Sequence, residues 1–247
     1  MAAMVSIMAL STDIMLPALS TIGLELKVTE PNDVQLIVSS LFLGYAAGQL
    51  CVGPLSDTLG RRPVIIGGYI IFIFGCLLSI FATNLAIMLM GRVLQGFGGA
   101  APRIVTIAII RDAYEGRDMA RTMSFIMSVF ILVPAIAPSI GQAMIAVSDW
   151  RMTFGFLLIV ASLTLVWFTS RQAETLATNN RRPFSVASLA MGTTEAFQYR
   201  ATLGYTLAIT VILAAFIGYL SSAQQIFKTV FGIEHLFPLV FGGTSLA

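Results

Sequence analysis

An acid stands inside the first apolar stretch: Asp13, in STDIMLPAL. A carboxylate within a bilayer is costly when ionised, and intramembrane acids mark substrate, ion or proton paths. A carboxyl whose charge depends on its neighbours can take up and release a proton. Pro17 follows four residues later and lacks the N–H that would close on the Asp13 carbonyl. A bend there would expose polar backbone beside the acid. Two readings of Asp13 are open: a proton or substrate group, or a structural acid satisfied by a neighbouring helix. Arg92 opens the run GRVLQGFGGA, about 10 Å below the outer end of its stretch at 1.5 Å per residue. An arginine at that depth needs a carboxylate, a carbonyl or water. Asp13 is the acid of comparable depth, so coupled titration of the pair is expected, with direct contact left open. Arg103, eleven residues further on, falls about 20 degrees off the same helical face. It fits either a shared interior stripe or simple snorkelling.

A second constellation is the polar sequence GPLSDTLGRRP, Gly53 to Pro63, caught between two apolar stretches. It reads as a tight packed junction at a bilayer face. Gly53 would remove a side chain where another helix approaches. Asp57 would accept hydrogen bonds from helix-terminal N–H groups, and Gly60 would take a positive φ. Arg61 and Arg62 would anchor to an anionic lipid surface or pair with acids of another loop. Pro63 suits the first turn of the next helix.

The elements that position these residues are membrane helices. The chain has 57% hydrophobic and only 11% charged residues, where a soluble domain carries about 25% charged. Stretches of the roughly 20 apolar residues that cross a bilayer recur. They are expected over 1–24, 34–54, 63–82, 85–108, 121–146, 151–170 and 201–223, with an eighth beginning near Leu236 and cut off at Ala247. That cut, and a first stretch without a polar lead-in, suggest an incomplete chain. Gly44 and Gly48, and Gly96, Gly98, Gly99 and Ala100 after Arg92, offer faces for close helix approach. Pro134 and Pro138 in the fifth stretch, with Gly141 beyond them, predict a bent, closely packed helix.

Short loops rich in basic residues stay in the cytoplasm. Arg61, Arg62, Arg111, Arg117, Arg121, Arg171, Arg181, Arg182 and Arg200 stand nine against three, the alternate loops holding Lys27, Arg151 and Lys228. The N-terminus, the GPLSDTLGRRP junction and the polar segment after the sixth stretch are therefore expected inside. Three regions follow: residues 1–170 as six spans, 171–200 as a linker with a short interfacial helix, and 201–247 as the start of a second set. This plan suits a transporter built from two helical halves.

Other chemistry is not supported. A net charge of +2 gives no nucleic-acid surface. His235 stands alone, and no nucleophile triad, paired catalytic carboxylates or phosphate loop occurs, so neither an enzyme nor a metal site is expected. Cys51 and Cys76 sit within apolar stretches and read as small buried thiols. Tyr45, Tyr69, Phe125 and Tyr219 could touch an apolar ligand or pack against helices and lipid.

At these motifs the chain resembles a known family. GPLSDTLGRRPVI looks like the loop 2–3 signature of the major facilitator superfamily, and LMGRVLQGFGGA, with Arg92, Gln95 and Gly96, resembles its fourth-helix signature. STDIMLPAL is similar to the first-helix pattern of its drug:proton antiporters. RDAY at 111–114 and DWRMTF at 149–154 look like the Bcr/CflA multidrug-efflux branch. The resemblance covers nearly the whole chain. It departs in the fifth helix, where Ala137-Pro138 stands for the usual Gly-Pro and Gly141-Gln142 for the paired glycine, and at Arg103, in a normally apolar region.

The resemblance implies twelve spans in two halves, of which this chain holds the first and part of the second. It implies export of a small drug-like organic compound across a bacterial inner membrane, driven by an inward proton, by rocker-switch alternating access. The proton is the coupling ion, with no other cofactor. The partners are the lipid bilayer and the substrate, and the complete protein would be a monomer. Without the rest of the second half, transport is not expected. By resemblance, Asp13 and Arg92 handle proton and substrate, and Asp57 with Arg61 latches the cytoplasmic side. A non-transporting fragment or scaffold, and a facilitator for a small polar solute, remain as alternatives. Seven full spans would also allow a receptor, but the cytoplasmic start opposes the usual receptor arrangement.

Overall fold

The computed structural model describes residues 1–177, 179, 181, 197–232 and 240–243. Among them the helices are α1 (Ala2–Asp13), α2 (Leu19–Glu25), α3 (Leu36–Leu59), α4 (Arg61–Ile80), α5 (Leu85–Ala113), α6 (Gly116–Val147), α7 (Arg151–Arg171) and α8 (Arg200–Thr229). Two 3-10 turns, Leu16–Ala18 and Pro31–Gln35, precede α2 and α3. Among the described residues, seven stretches are long and apolar enough to span a bilayer, α1 and α2 together forming the first, Ala2–Glu25. The protein is an all-α polytopic membrane protein.

Helix α5 is the hub. It packs along α3 on one side and α4 on another, α1 crosses it, α6 lies against α1, and α7 against α4. Apolar burial gives little drive between helices already in lipid, so close backbone approach through small residues decides such packing. A Cβ on Gly96 would overlap the Leu41 carbonyl of α3, and one on Gly141 would overlap the Ile14 carbonyl just past α1. The buried core includes Tyr69, Phe72, Trp150 and Phe154.

Several boundaries differ from the sequence reading. The first span is not one helix: α1 stops at Asp13 and the chain passes through a 3-10 turn containing Pro17 before α2. The GPLSDTLGRRP segment is not a loop. Helix α3 continues through Pro54 to Leu59, and the whole turn is Gly60. The hydroxyls of this extension are satisfied on the helix itself, with Ser56 Oγ donating to Gly53 O at 2.8 Å and Thr58 Oγ1 to Pro54 O at 3.0 Å. Gly53 faces open space rather than an approaching helix. Cys51 is exposed rather than buried; Cys76 is buried. Helix α6 runs unbroken through Pro134 and Pro138, and its tight packing is confined to a stripe at Ile126, Ala137, Pro138 and Gly141. Arg182, His235, and most of the expected interfacial helix and eighth span lie outside the described residues.

Candidate functional site

The break in the first span builds the site. Past Asp13 the backbone bonds change register: Ile14 N–H still donates to Leu10 O, and the next turn closes from Ala18 N–H to Met15 O. Ser11 O is taken instead by Arg92, whose Nη2 donates to it at 3.2 Å. A cation at a helix C-terminus caps the last carbonyls and complements the helix dipole. Arg92 also donates from Nε to Ile37 O at 3.3 Å, and from Nη1 to Gln95 Oε1 at 2.6 Å and Ser11 Oγ at 3.3 Å. Gln95 extends the network, its Nε2 donating to Ser79 Oγ at 3.1 Å. Arg92, Gln95, Ser79 and Ser11 are all fully buried. This is a closed polar knot tying α1, α3, α4 and α5.

Asp13 belongs to a different surface. It faces a cavity of about 390 Å³ between α1, α3, α5, α6 and α8. The sequence pairs Asp13 with Arg92 by depth, but the described residues show no ion pair between them. Arg92 reaches the backbone two residues before Asp13, so it fixes the acid's position rather than neutralising it. The arginine that lines the Asp13 cavity is Arg103. Tyr45 and Tyr219 also line it, whereas Tyr69 is buried in the core and Phe125 lines a separate exposed depression. Pro134 is part of the cavity wall. Gly141 lets α6 press on Ile14 directly after the acid.

The junction at Gly60 gathers the second cluster. Gly60 has φ 106, and a Cβ there would also sit 2.6 Å from Glu174 Oε2. Arg61 Nη1 donates to Asp57 Oδ1 at 2.6 Å and to Ser56 Oγ at 2.7 Å, and its Nε to Asp112 Oδ2 at 3.2 Å. Glu174 caps the start of α4, Oε1 accepting from Arg61 N–H at 2.9 Å and Oε2 from Arg62 N–H at 3.0 Å. Arg62 Nη2 donates to Thr169 O at 2.7 Å. Burial alone would raise the Glu174 pKa, but the backbone N–H groups of Leu176, Arg62, Arg61 and Thr175 outweigh it and hold the carboxyl below the ordinary glutamate value. Sequence reasoning missed Glu174 and Asp112. Their signal was weak, an acid in a polar linker and an acid at a helix end.

The opposite end of the bundle has its own clamp. Arg151 Nη1 pairs with Glu25 and with Asp149 Oδ2, and its Nε donates to Ile80 O at 3.1 Å. Helix α8 joins the bundle near this end. Gln35 Nε2 donates to Gln225 Oε1 at 2.6 Å, and Gln224 Nε2 donates to Pro17 O at 3.1 Å and Ser20 Oγ at 2.8 Å. Residues 201–216 of α8 are exposed.

The sequence pattern described as Major Facilitator Superfamily matches residues 1–247. An uncharacterised MFS-type transporter of Bacillus subtilis, YdgK, is 28% identical over 241 residues, 96% of this chain and 60% of that protein. A bicyclomycin resistance protein homolog of Haemophilus influenzae is 29% identical over 223 residues, 90% of this chain and 55% of the relative. A chloramphenicol resistance protein of Pseudomonas aeruginosa is 33% identical over 162 residues, 64% and 38% of the two chains. The chain thus spans 60% or less of the length of these relatives. Among solved structures, a D-xylose–proton symporter superposes over 99% of this chain and 64% of its own, with TM-score 0.72 at 16% identity, a likeness of fold.

Proposed function

We propose a transport function from one premise: the chain belongs to the Major Facilitator Superfamily. The full-length protein exports small organic compounds across the bacterial inner membrane, driven by protons moving inward, by alternating access between two helical halves. Relatives named for bicyclomycin and chloramphenicol resistance favour export of drug-like compounds, on the Bcr/CflA branch that the motifs resemble. The single observation that carries the reading is Asp13, set at the break of the first span and facing the cavity between α1, α3, α5, α6 and α8.

In this reading Asp13 takes up and releases the proton, and among the described residues its carboxyl has no hydrogen bond or ion pair to hold it in one state. Arg92 and Gln95 hold the broken helix that presents it. Arg61, held in this conformation by Asp57 and Asp112 beside the Glu174 cap, is placed at the cytoplasmic end to latch it against the other half in the alternate state. The excess of basic residues at that end supports its cytoplasmic side. The bonds of Gln224 and Gln225 near the opposite end support a conformation closed there.

The test is transport in everted membrane vesicles holding the full-length protein, with an imposed proton gradient and a fluorescent drug-like probe. Asp13→Asn should abolish gradient-driven uptake while the protein still inserts and elutes as a folded species. Undiminished gradient-driven uptake by that variant refutes the assignment.

A further inference from the structure

Among the described residues, Arg103 is the cation of the Asp13 cavity, and the transport reading leaves it without a role. Its guanidinium lies 4.9 Å from the centroid of the Phe130 ring and 5.9 Å from that of Tyr45. Among the described residues it has no salt bridge and no hydrogen bond. Arg92 is the contrast, sealed from the cavity and bonded from all three of its nitrogens. An arginine within a span is expensive unless it meets an acid, carbonyls or water. Two ring faces supply part of that compensation. The N–H groups of Arg103 are left facing the cavity, whose wall is largely aromatic, with Phe42, Tyr45, Phe130 and Phe216 among its members.

We infer that Arg103 determines specificity, giving the cavity a preference for aromatic compounds that carry a carboxylate. The inference rests on the reading of this cavity as the substrate site. The ring of such a compound lies against the aromatic wall. Its carboxylate takes the unused N–H groups of the guanidinium, whose planar fork suits two oxygens.

Equilibrium binding to the full-length protein in lipid nanodiscs tests this without needing transport. The probes are 1-naphthylacetate and 1-naphthylmethylammonium, which share a ring and differ in the sign of their charge. The wild type should bind the acetate about tenfold or more tighter, the scale of one charge-assisted hydrogen-bond pair. Arg103→Gln should abolish the preference and Arg103→Lys should keep part of it. A wild type that prefers the ammonium probe, or an Arg103→Gln variant with an unchanged ratio of affinities, overturns the inference. Should Arg103→Gln fail to fold, the wild-type ratio and Arg103→Lys decide. Binding that favours the acetate in a protein showing no proton-driven transport would sustain this inference and sink the export reading, and the converse result would do the opposite.

Discussion

Arg92→Met separates a structural role for this arginine from a role as a free intramembrane charge. The substitution keeps an apolar side chain of similar length and removes every donor. Gln95 Oε1 retains the Ser11 hydroxyl, 3.3 Å away. Two carbonyls lose the guanidinium, Ser11 O at the broken end of α1 and Ile37 O on α3. A buried acceptor left unpaired costs about 1–3 kcal/mol, so the pair costs about 2–6 kcal/mol. Removing a buried cation returns part of its desolvation cost, which places the net loss in the lower half, ~2–4 kcal/mol. For a chain of this size each kcal/mol moves Tm by about 2–4 °C, giving a fall on the order of 10 °C. Thermal unfolding of the full-length protein, followed by loss of the monodisperse peak on size-exclusion chromatography, measures it. Arg92→Lys should recover only part of the loss, because one ammonium cannot span Ser11 O, Ile37 O and Gln95 together. A Tm for Arg92→Met within about 2 °C of wild type would refute the closed-knot account and return Arg92 to the role of a mobile charge.

Three further outcomes follow from the geometry. Glu174→Gln should weaken the cap on α4 by about 1 kcal/mol, read as increased alkylation of a cysteine introduced at Leu59 in a cysteine-free background; unchanged labelling counts against Glu174 as a cap. The Glu174 pKa is depressed in the folded protein, so its contribution is complete above the unfolded glutamate value and is lost as pH falls through the lower folded value. The ratio of labelling in the wild type to that in Glu174→Gln, which cancels the loss of thiolate on acidification, should rise towards one over that acidic window, and a constant ratio would discard the link. Gly141→Val should push α6 off the Ile14 carbonyl and lower stability by about 1–3 kcal/mol, whereas Gly53→Ala, inside α3 with open space around it, should leave Tm unchanged or raise it slightly through helix propensity; the reverse order would contradict this packing.

Periodic apolar stretches made the spans legible, because length and composition alone decide whether a helix can cross a bilayer. Pro17 announced the break in the first span through its missing N–H. The partner of Arg92 was not legible. Depth pointed to Asp13, but the bond goes to Ser11 O, a carbonyl freed only when α1 stops, and no residue type marks such a carbonyl in a sequence. The junction at Gly60 misled in the other direction. Gly, Pro, Asp and Ser read as loop chemistry, yet Ser56 and Thr58 turn their hydroxyls back onto α3 and the helix holds to Leu59. Glu174 sits in a polar segment without periodicity, and its role exists only because α7 ends where α4 begins.

The break after Asp13 is fixed from three directions, and the three differ in what they report. Arg92 holds Ser11 O from within the first six spans, and Gly141 admits α6 against Ile14 O. Both belong to the first six spans. The third contact comes from α8, where Gln224 Nε2 donates to Pro17 O. Pro17 O is thus the point where the segment beyond the linker touches the distorted backbone that carries the acid. Withdrawal of α8 at that end breaks this bond and the Gln35–Gln225 bond together, removing one of the three constraints on the break while Arg92 keeps the C-terminal end of α1 in place. The backbone between Leu16 and Ala18 then becomes the part of the first span free to change, and it lies within five residues of Asp13. Gln224→Leu should therefore mimic withdrawal. Hydrogen exchange of the amides from Leu16 to Ile22 should rise several-fold in that variant while α5 stays protected. Equal exchange in wild type and variant would show that α8 does not govern the break.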